Sequence, residues 1–137
     1  MRALFIASIL ACLGAGPSLA QTGSDVTRWD GATHKQYFGS PAEWARFQTL
    51  LTSEEFRDIR LATERETRVR IEGGDLVLTG CMMLACNSTR AGLSVAVDSG
   101  ATTAVIWQRD REPQVFTSNG AALPEALRRL ADTGALE

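Results

Sequence analysis

The residues best suited to chemistry lie in one short segment, residues 80–87, which reads GCMMLACN. Two cysteines, Cys81 and Cys86, bracket four apolar residues without interruption. Free thiols together with methionine thioethers are soft ligands that suit an ion such as Cu(I). A disulfide would instead close a small ring and leave the four apolar residues as a contact surface. The redox compartment of the protein decides between these two chemistries.

The N-terminal residues predict export from the cytoplasm. Arg2 precedes an apolar run over residues 3–13. Small residues typical of the positions before a signal-peptide cleavage site follow at 18–20. This layout is typical of a secretory signal peptide over residues 1–20, cleaved after Ala20. The apolar run is well short of the roughly 20 residues that span a bilayer. We therefore expect a periplasmic protein with no membrane anchor in its mature form.

Signal cleavage also decides which cysteines remain. Cys12 lies inside the predicted signal peptide; a lipoprotein cleavage box ending at Cys12 is the alternative, but its leading positions are poor. After cleavage only Cys81 and Cys86 are left, and two such cysteines in an oxidising compartment usually pair. Oxidised cysteines supply no thiolates. The sequence therefore predicts a Cys81–Cys86 disulfide, no metal site and no cofactor.

Helix signals dominate the first half of the mature chain. Residues 21–39 are polar and turn-rich, and we expect an extended or mobile N-terminal arm there. Ser40 and Pro41, with Glu43 three residues after Ser40, predict a helix start with a capping box. A second short helix is expected from Thr52 or Ser53. The apolar stripe of the first helix recurs at helical spacing and comprises Trp44, Phe47, Leu50 and Leu51.

Alternation with a period of two begins at Thr67 and predicts antiparallel strands. A hairpin turns at residues 73–75, and its second strand ends at Cys81. Further strands are expected over residues 93–97, 102–108 and 114–117, before a final helix that starts at residues 123–125. The predicted fold is α+β, an antiparallel meander of about five strands with helices packed on one face.

Charge and motif content exclude several classes of function. The net charge of the chain is −2, with no basic patch dense enough to predict a nucleic-acid partner. His34 is the only histidine and lies in the expected arm, where we expect it to be exposed and a nucleophile–His pair is poorly supported. The acidic residues over 54–66 alternate with arginines, a pattern typical of a solvated surface. We therefore predict a protein that is not an enzyme.

The cysteine segment and its flanks resemble a known family. Residues 74–81 read GDLVLTGC, residues 86–90 read CNSTR and residues 94–97 read SVAV. A strand ending in Cys, a four-residue insert, a second Cys, a polar stretch with Arg and an apolar strand are similar to the inhibitor of vertebrate lysozyme family, often called Ivy. The resemblance covers about residues 40–118, and residues 40–137 are taken as an Ivy-like domain.

This resemblance implies a periplasmic inhibitor whose closed loop plugs the active-site cleft of c-type lysozymes. In typical members the insert reads Lys-Pro-His-Asp, and its His meets the two catalytic carboxylates of the enzyme. None of these four residues is kept here: the matching positions, flanked by Asn87 and Arg90, are Met82, Met83, Leu84 and Ala85. We expect binding to a peptidoglycan-cleaving enzyme, a c-type lysozyme or an endogenous lytic transglycosylase, with lysozyme inhibition weakened or redirected.

Three other interpretations stay open. The apolar insert could drive homodimerisation or contact another envelope protein, without lysozyme inhibition. It could also fold back on the sheet edge as a small satellite core, with the disulfide as a staple. A small hydrolase or metal carrier would depend on His34 or on reduced cysteines.

Overall fold

The computed structural model describes residues 23–65 and 68–136. Within these ranges a short 3₁₀ helix at Gly23–Trp29 precedes four α-helices, which are α1 (His34–Phe38), α2 (Pro41–Phe47), α3 (Ser53–Leu61) and α4 (Glu125–Thr133). The strands are β1 (Arg70–Glu72), β2 (Asp75–Cys81), β3 (Thr89–Ala96), β4 (Thr102–Gln108) and β5 (Gln114–Thr117). None of the helices in this part of the chain is long and apolar enough to cross a membrane. The predicted signal peptide lies outside the described residues.

The five strands form one antiparallel sheet in the order β1-β2-β3-β4-β5. This confirms the predicted α+β class and the five-stranded meander. The β-branched run from Thr102 to Gln108 forms β4 with the bounds that its composition predicts. Strand β3 begins at Thr89, four residues before the alternating pattern, because pairing with β2 continues as far as Cys81 opposite Arg90. Gly92, inside β3, hides this extension from a propensity-based prediction.

Helices cover both faces of the sheet, which corrects the expectation of a single covered face. The face that carries Leu78 and Leu93 shares one core with the 3₁₀ helix and helices α1–α3. On the opposite face, Val105 packs against Leu127 of α4. Gly92 makes room for this helix, since a Cβ atom there would lie 2.5 Å from Leu127 Cδ2. Helix α4 therefore supplies a second, smaller core.

The N-terminal segment is folded from residue 23 onward, contrary to the expectation of an extended or mobile arm. Val26 of the 3₁₀ helix and Tyr37 of α1 are fully buried in the main core. Helix α1 begins with a capping box, in which Thr33 Oγ1 accepts from the Gln36 amide at 3.2 Å and Gln36 Oε1 accepts from the Thr33 amide at 2.9 Å. A few apolar residues in a polar stretch are too sparse to reveal a period.

Glu43 does not act as the capping carboxylate that the sequence suggests. Ser40 has the extended backbone of a helix cap, but its side chain makes no capping hydrogen bond. The Glu43 side chain is fully buried, accepting from Trp29 Nε1 at 2.9 Å and from Arg46 Nε at 3.0 Å. Glu43 therefore joins the 3₁₀ helix to α2 through the hydrogen bond from Trp29, and its ion pair with Arg46 lies within α2.

His34 is buried as well, so it is not the exposed arm residue that we expected. It is 7 % exposed, and its Nε2 lies 2.9 Å from the carbonyl oxygen of Arg60, which requires this nitrogen to donate. Burial lowers the pKa of His34 below its ordinary value of 6.5, against smaller opposing effects of the Arg60 carbonyl and the Glu64 carboxylate.

The lowered pKa of His34 predicts a pH dependence of stability. Below about pH 6.5 the unfolded chain takes up this proton more readily than the folded protein, so the free energy of unfolding falls as the pH drops. Urea unfolding at about pH 7.5 and about pH 5.5 is expected to show a larger loss for the wild type than for His34→Gln. Equal losses in the two proteins would contradict the prediction.

Candidate functional site

The predicted loop connects β2 to β3 and spans residues 82–88. The amide of Met82 donates to the carbonyl of Thr89 at 3.0 Å and closes the base of the loop. Within the loop, the amide of Ala85 donates to the carbonyl of Met82 at 3.0 Å and closes a tight turn. Cys81 and Cys86 form a disulfide across the base, with their Cα atoms 4.7 Å apart. The predicted pairing is confirmed, and it makes the loop a closed ring.

The tip of the loop is exposed, so the alternative in which the insert folds back on the sheet does not hold for Met83 and Leu84. Leu84 is 100 % exposed and Met83 is 58 % exposed. Both lie at the centre of the tight turn, whereas Met82 and Ala85 at its ends are half-buried. A single exposed leucine is ordinary on a protein surface, but Leu84 lies at the apex of a constrained loop, where it forms a protruding apolar contact surface.

The C-terminal half of the loop is held by a single carbonyl group. The carbonyl oxygen of Ala85 accepts from the amides of Ser88 and Thr89, both at 2.9 Å, and from the Ser88 hydroxyl at 3.1 Å. Asn87, one of the two predicted flanking residues, is exposed beside this network. These contacts use backbone and flank atoms, so the exposed side chains of Met83 and Leu84 take no part in holding the loop.

Arg90 fixes the loop to the body of the protein. Its Nε donates to the carbonyl of Cys86 at 2.8 Å, and its Nη1 donates to the carbonyl of Gly134, just after α4. The guanidinium also lies over the ring of Trp107, with Cζ 5.3 Å from the ring centroid. Arg90 thus ties the second cysteine to α4 and β4. The sequence marked Arg90 as a flank but carried no signal for its two long-range partners.

A cavity of about 400 Å³ lies next to the base of the loop. Half-buried Met82 lines it together with residues of α3 and its C-cap, of β3, β4 and β5, and of the segment that leads into β5. These residues are Asp58, Ala62, Thr89, Ile106, Gln108, Arg111 and Gln114. Met82 therefore faces a sheltered space at the base, while its neighbour Met83 faces solvent at the tip.

The chemistry available at this site is that of an apolar contact. The insert carries thioether and aliphatic side chains, and its two sulfhydryl groups are consumed in the disulfide. The buried ring of His34 lies against α3, where its hydrogen-bond partner is the carbonyl of Arg60. No cluster of three potential metal ligands occurs among the residues that the structure describes. The exposed side chains of the insert therefore present apolar surface without an ionisable group.

The turn at the tip has a backbone conformation that disfavours leucine. Leu84 has φ 64°, in the left-handed region that costs a residue other than Gly, Asn or Asp about 1–2 kcal/mol. Met83 lacks a positive φ, so the turn resembles type II, which prefers Gly or Asn at the position of Leu84. An unfavourable residue at an exposed tip is consistent with selection for contact over stability.

Leu84→Asn is therefore expected to raise the free energy of unfolding by about 1 kcal/mol, because Asn tolerates the left-handed conformation. Urea unfolding followed by circular dichroism measures this difference. Met83→Asn is the matched control, because Met83 does not have a positive φ and asparagine therefore removes no backbone strain there. A gain of the same size in both variants, or none in Leu84→Asn, would contradict the assignment of strain to Leu84.

The fold and the site together define a class: small α+β proteins that present a disulfide-closed loop from an antiparallel meander. A sequence model of the inhibitor of vertebrate lysozyme (Ivy) family matches residues 43–136. The chain therefore belongs to this family of lysozyme inhibitors. The comparison with curated proteins and the comparison with solved structures returned no match. The matched region includes the complete sheet, the loop and α4.

Proposed function

We propose that this protein is a periplasmic inhibitor that inserts its disulfide-closed loop into the cleft of a peptidoglycan-cleaving enzyme. The target is a c-type lysozyme or an endogenous lytic transglycosylase. Family membership supports the inhibitor class. The observation that supports the mode of binding is the position of Leu84, fully exposed at the apex of a loop closed by a disulfide and anchored by Arg90.

Preorganisation favours this role energetically. Docking a flexible loop costs conformational entropy, about 0.5–1.5 kcal/mol for each side chain that is immobilised, and ring closure reduces the backbone share of that cost. Burying an exposed leucine or methionine contributes about 1.5–3 kcal/mol. Met83 and Leu84 together can therefore contribute several kcal/mol, and the ordering of the loop before docking reduces the conformational-entropy cost that opposes this contribution.

The apolar insert also determines which clefts it fits. Leu84 offers no hydrogen-bond donor to an ionised carboxylate, and desolvating such a group without a replacement costs about 1–3 kcal/mol. The loop therefore binds best to a cleft with apolar walls beside its catalytic acid. This apolar loop is expected to bind a lysozyme with two exposed catalytic carboxylates more weakly than a loop that carries histidine does.

The test is a binding titration of the purified protein against a c-type lysozyme and against a lytic transglycosylase. Replacing both Met83 and Leu84 by Ser is expected to weaken binding to the target at least a hundredfold, from the loss of about 3 kcal/mol or more of apolar burial. Val115→Ser is the matched control, because Val115 is an apolar residue, 45 % exposed, on β5 and outside the loop. It is expected to bind like the wild type.

Absence of wild-type binding to both enzyme classes would refute the proposed function. A Leu84→His variant, run in parallel, separates two outcomes for lysozyme. If the wild type binds lysozyme, apolar contact is sufficient for binding. If only Leu84→His binds lysozyme, the natural target is a different enzyme. Thermal unfolding of each variant verifies that a loss of binding is not a loss of fold.

Self-association is the second candidate function, and the same exposed Leu84 favours it. In this alternative the loop of one molecule contacts a second copy or another envelope protein. Sedimentation velocity of the wild type and of the Met83→Ser, Leu84→Ser double variant distinguishes the two candidates. A wild-type dimer that the double variant converts to a monomer, with no binding to either enzyme, would favour the interaction module.

Export to the periplasm is part of the proposal and rests on the signal peptide predicted for residues 1–20. Cell fractionation of the native host, with mass spectrometry of the N-terminus, tests it directly. A mature N-terminus at Gln21 in the periplasmic fraction is the expected result.

A further inference from the structure

Two methionines lie side by side in the loop but in different surroundings. The chain has three methionines in total, and the third is Met1. Met83 is 58 % exposed at the tip. Met82 is half-buried, and it lines the cavity at the loop base with Ala62 and Ile106. Solvent and small solutes therefore reach the sulfur of Met83 much more readily than that of Met82.

No thiol near the loop competes with these thioethers for an oxidant. Cys81 and Cys86 are joined in the disulfide, and residues 23–65 and 68–136 contain no other cysteine. Once thiols are oxidised, methionine thioethers are the side chains that a peroxide attacks most readily. Met83 is thus the most accessible oxidisable sulfur in the described part of the chain.

We propose that Met83 is an oxidation site and that its conversion to the sulfoxide weakens binding of the loop to its target. The binding half of this inference rests on the proposed function. In the reaction, a lone pair of Met83 Sδ attacks one oxygen of hydrogen peroxide, an S–O bond forms, the O–O bond breaks and water leaves. The thioether is oxidised by two electrons and the peroxide is reduced. Sulfoxide reductases reverse the change, so the modification is not terminal.

The effect on binding follows from the polarity of the product. A sulfoxide carries a strong hydrogen-bond acceptor where the thioether is apolar. Burying the sulfoxide oxygen in an apolar interface that provides no hydrogen-bond donor is expected to reduce the affinity for the target about tenfold to a hundredfold. Oxidation of Met82 has a smaller effect, because its side chain faces the intramolecular cavity and not the tip.

The test uses graded hydrogen peroxide on the purified full chain, removal of peroxide with catalase, and then two measurements. Trypsin releases residues 71–90 as one peptide, because Arg70 and Arg90 flank a segment without Lys or Arg. Tandem mass spectrometry of this peptide assigns each added oxygen to Met82 or Met83. Titration against the enzyme that the untreated protein binds then gives the affinity. Met83→Leu and Met82→Leu are the matched variants, since both keep an apolar side chain that peroxide does not oxidise.

We expect oxygen to add first to Met83, and affinity to fall in the wild type and in Met82→Leu but not in Met83→Leu. Equal oxidation of the two methionines overturns the site assignment. An equal loss of affinity in Met83→Leu overturns the link to binding. If the untreated protein binds neither enzyme class, the proposed function and the binding half fail together, while the peptide map still decides the oxidation site by itself.

Discussion

Glu43→Gln is expected to lower the free energy of unfolding by about 3–5 kcal/mol, the usual cost of removing one partner from a buried ion pair. The Glu43 carboxylate is fully buried, and the Arg46 side chain beside it is only 6 % exposed. Glutamine leaves the Arg46 guanidinium buried without a counter-charge. The carboxylate also accepts from Trp29 Nε1. The side-chain oxygen of glutamine can still accept this hydrogen bond, so the variant mainly removes the negative charge. Urea unfolding followed by circular dichroism measures the change.

Glu54→Gln is the matched control for this prediction. Glu54 is also paired with an arginine three residues away, Arg57, but its side chain is 77 % exposed. Exposed pairs contribute about 0–1 kcal/mol, so little change is expected. A loss below about 1 kcal/mol in Glu43→Gln would contradict the assigned role of the buried pair.

A double variant separates charge from packing at the same site. Glu43→Leu with Arg46→Met replaces both charged partners by apolar side chains, which is often close to neutral for a buried pair. We expect the double variant to recover most of the stability that Glu43→Gln loses. A double variant as unstable as the single one would indicate that loss of the Trp29 hydrogen bond, which only the double variant removes, costs about as much as loss of the charge.

Gly134→Ala is expected to cost about 2–4 kcal/mol of stability through two effects that act together. Gly134 has φ 74°, which disfavours alanine, and it ends α4 with its amide bonded to the carbonyl of Leu130 at 2.9 Å. A Cβ atom there would lie 2.5 Å from Trp107 Cε2. The indole cannot move away without disturbing the guanidinium of Arg90 above it. The substitution therefore reaches the loop as well as the second core.

Gly120→Ala isolates the backbone effect, because Gly120 has φ 66° and a Cβ atom added there would meet no other atom within 4 Å. It is expected to cost only about 1 kcal/mol. Urea unfolding compares the two variants. Amide hydrogen exchange of Met82, Ser88 and Thr89, whose amides are hydrogen-bonded within the loop, then reports on the loop, and faster exchange is expected in Gly134→Ala alone. Equal destabilisation of both variants would show that contact with Trp107 contributes little.

The sequence was sufficient for the parts of the fold that local patterns determine. The β-branched run that forms β4, the hairpin that ends at Cys81 and the disulfide follow from alternation, turn residues and the cysteine count. The loop and its flanks were located by the same cysteine spacing, and Arg90 was identified as a flank. These features depend on neighbours within a few residues, which a single sequence displays directly.

The errors concern contacts between distant segments. The apolar stripe of α4 predicts a buried helix but not which face of the sheet it covers, and Gly92 looks like a weak strand residue until Leu127 lies against it. Glu43 has the spacing of a capping residue, and its burial depends on Trp29 and Arg46, which only the fold brings together. Arg90 shows the same limit, because its bond to Gly134 spans 44 positions.

The loop is held by main-chain carbonyls at Met82, Ala85 and Cys86, together with the disulfide, so its shape is independent of the side chains at its tip. Mutation can therefore exchange the insert without dismantling the frame that presents it. Under the proposed function, such a division would let the protein acquire a new target enzyme by substitutions in the insert alone. The same property makes this domain a display scaffold, in which a library over residues 82–85 samples new binding specificities on a constant backbone.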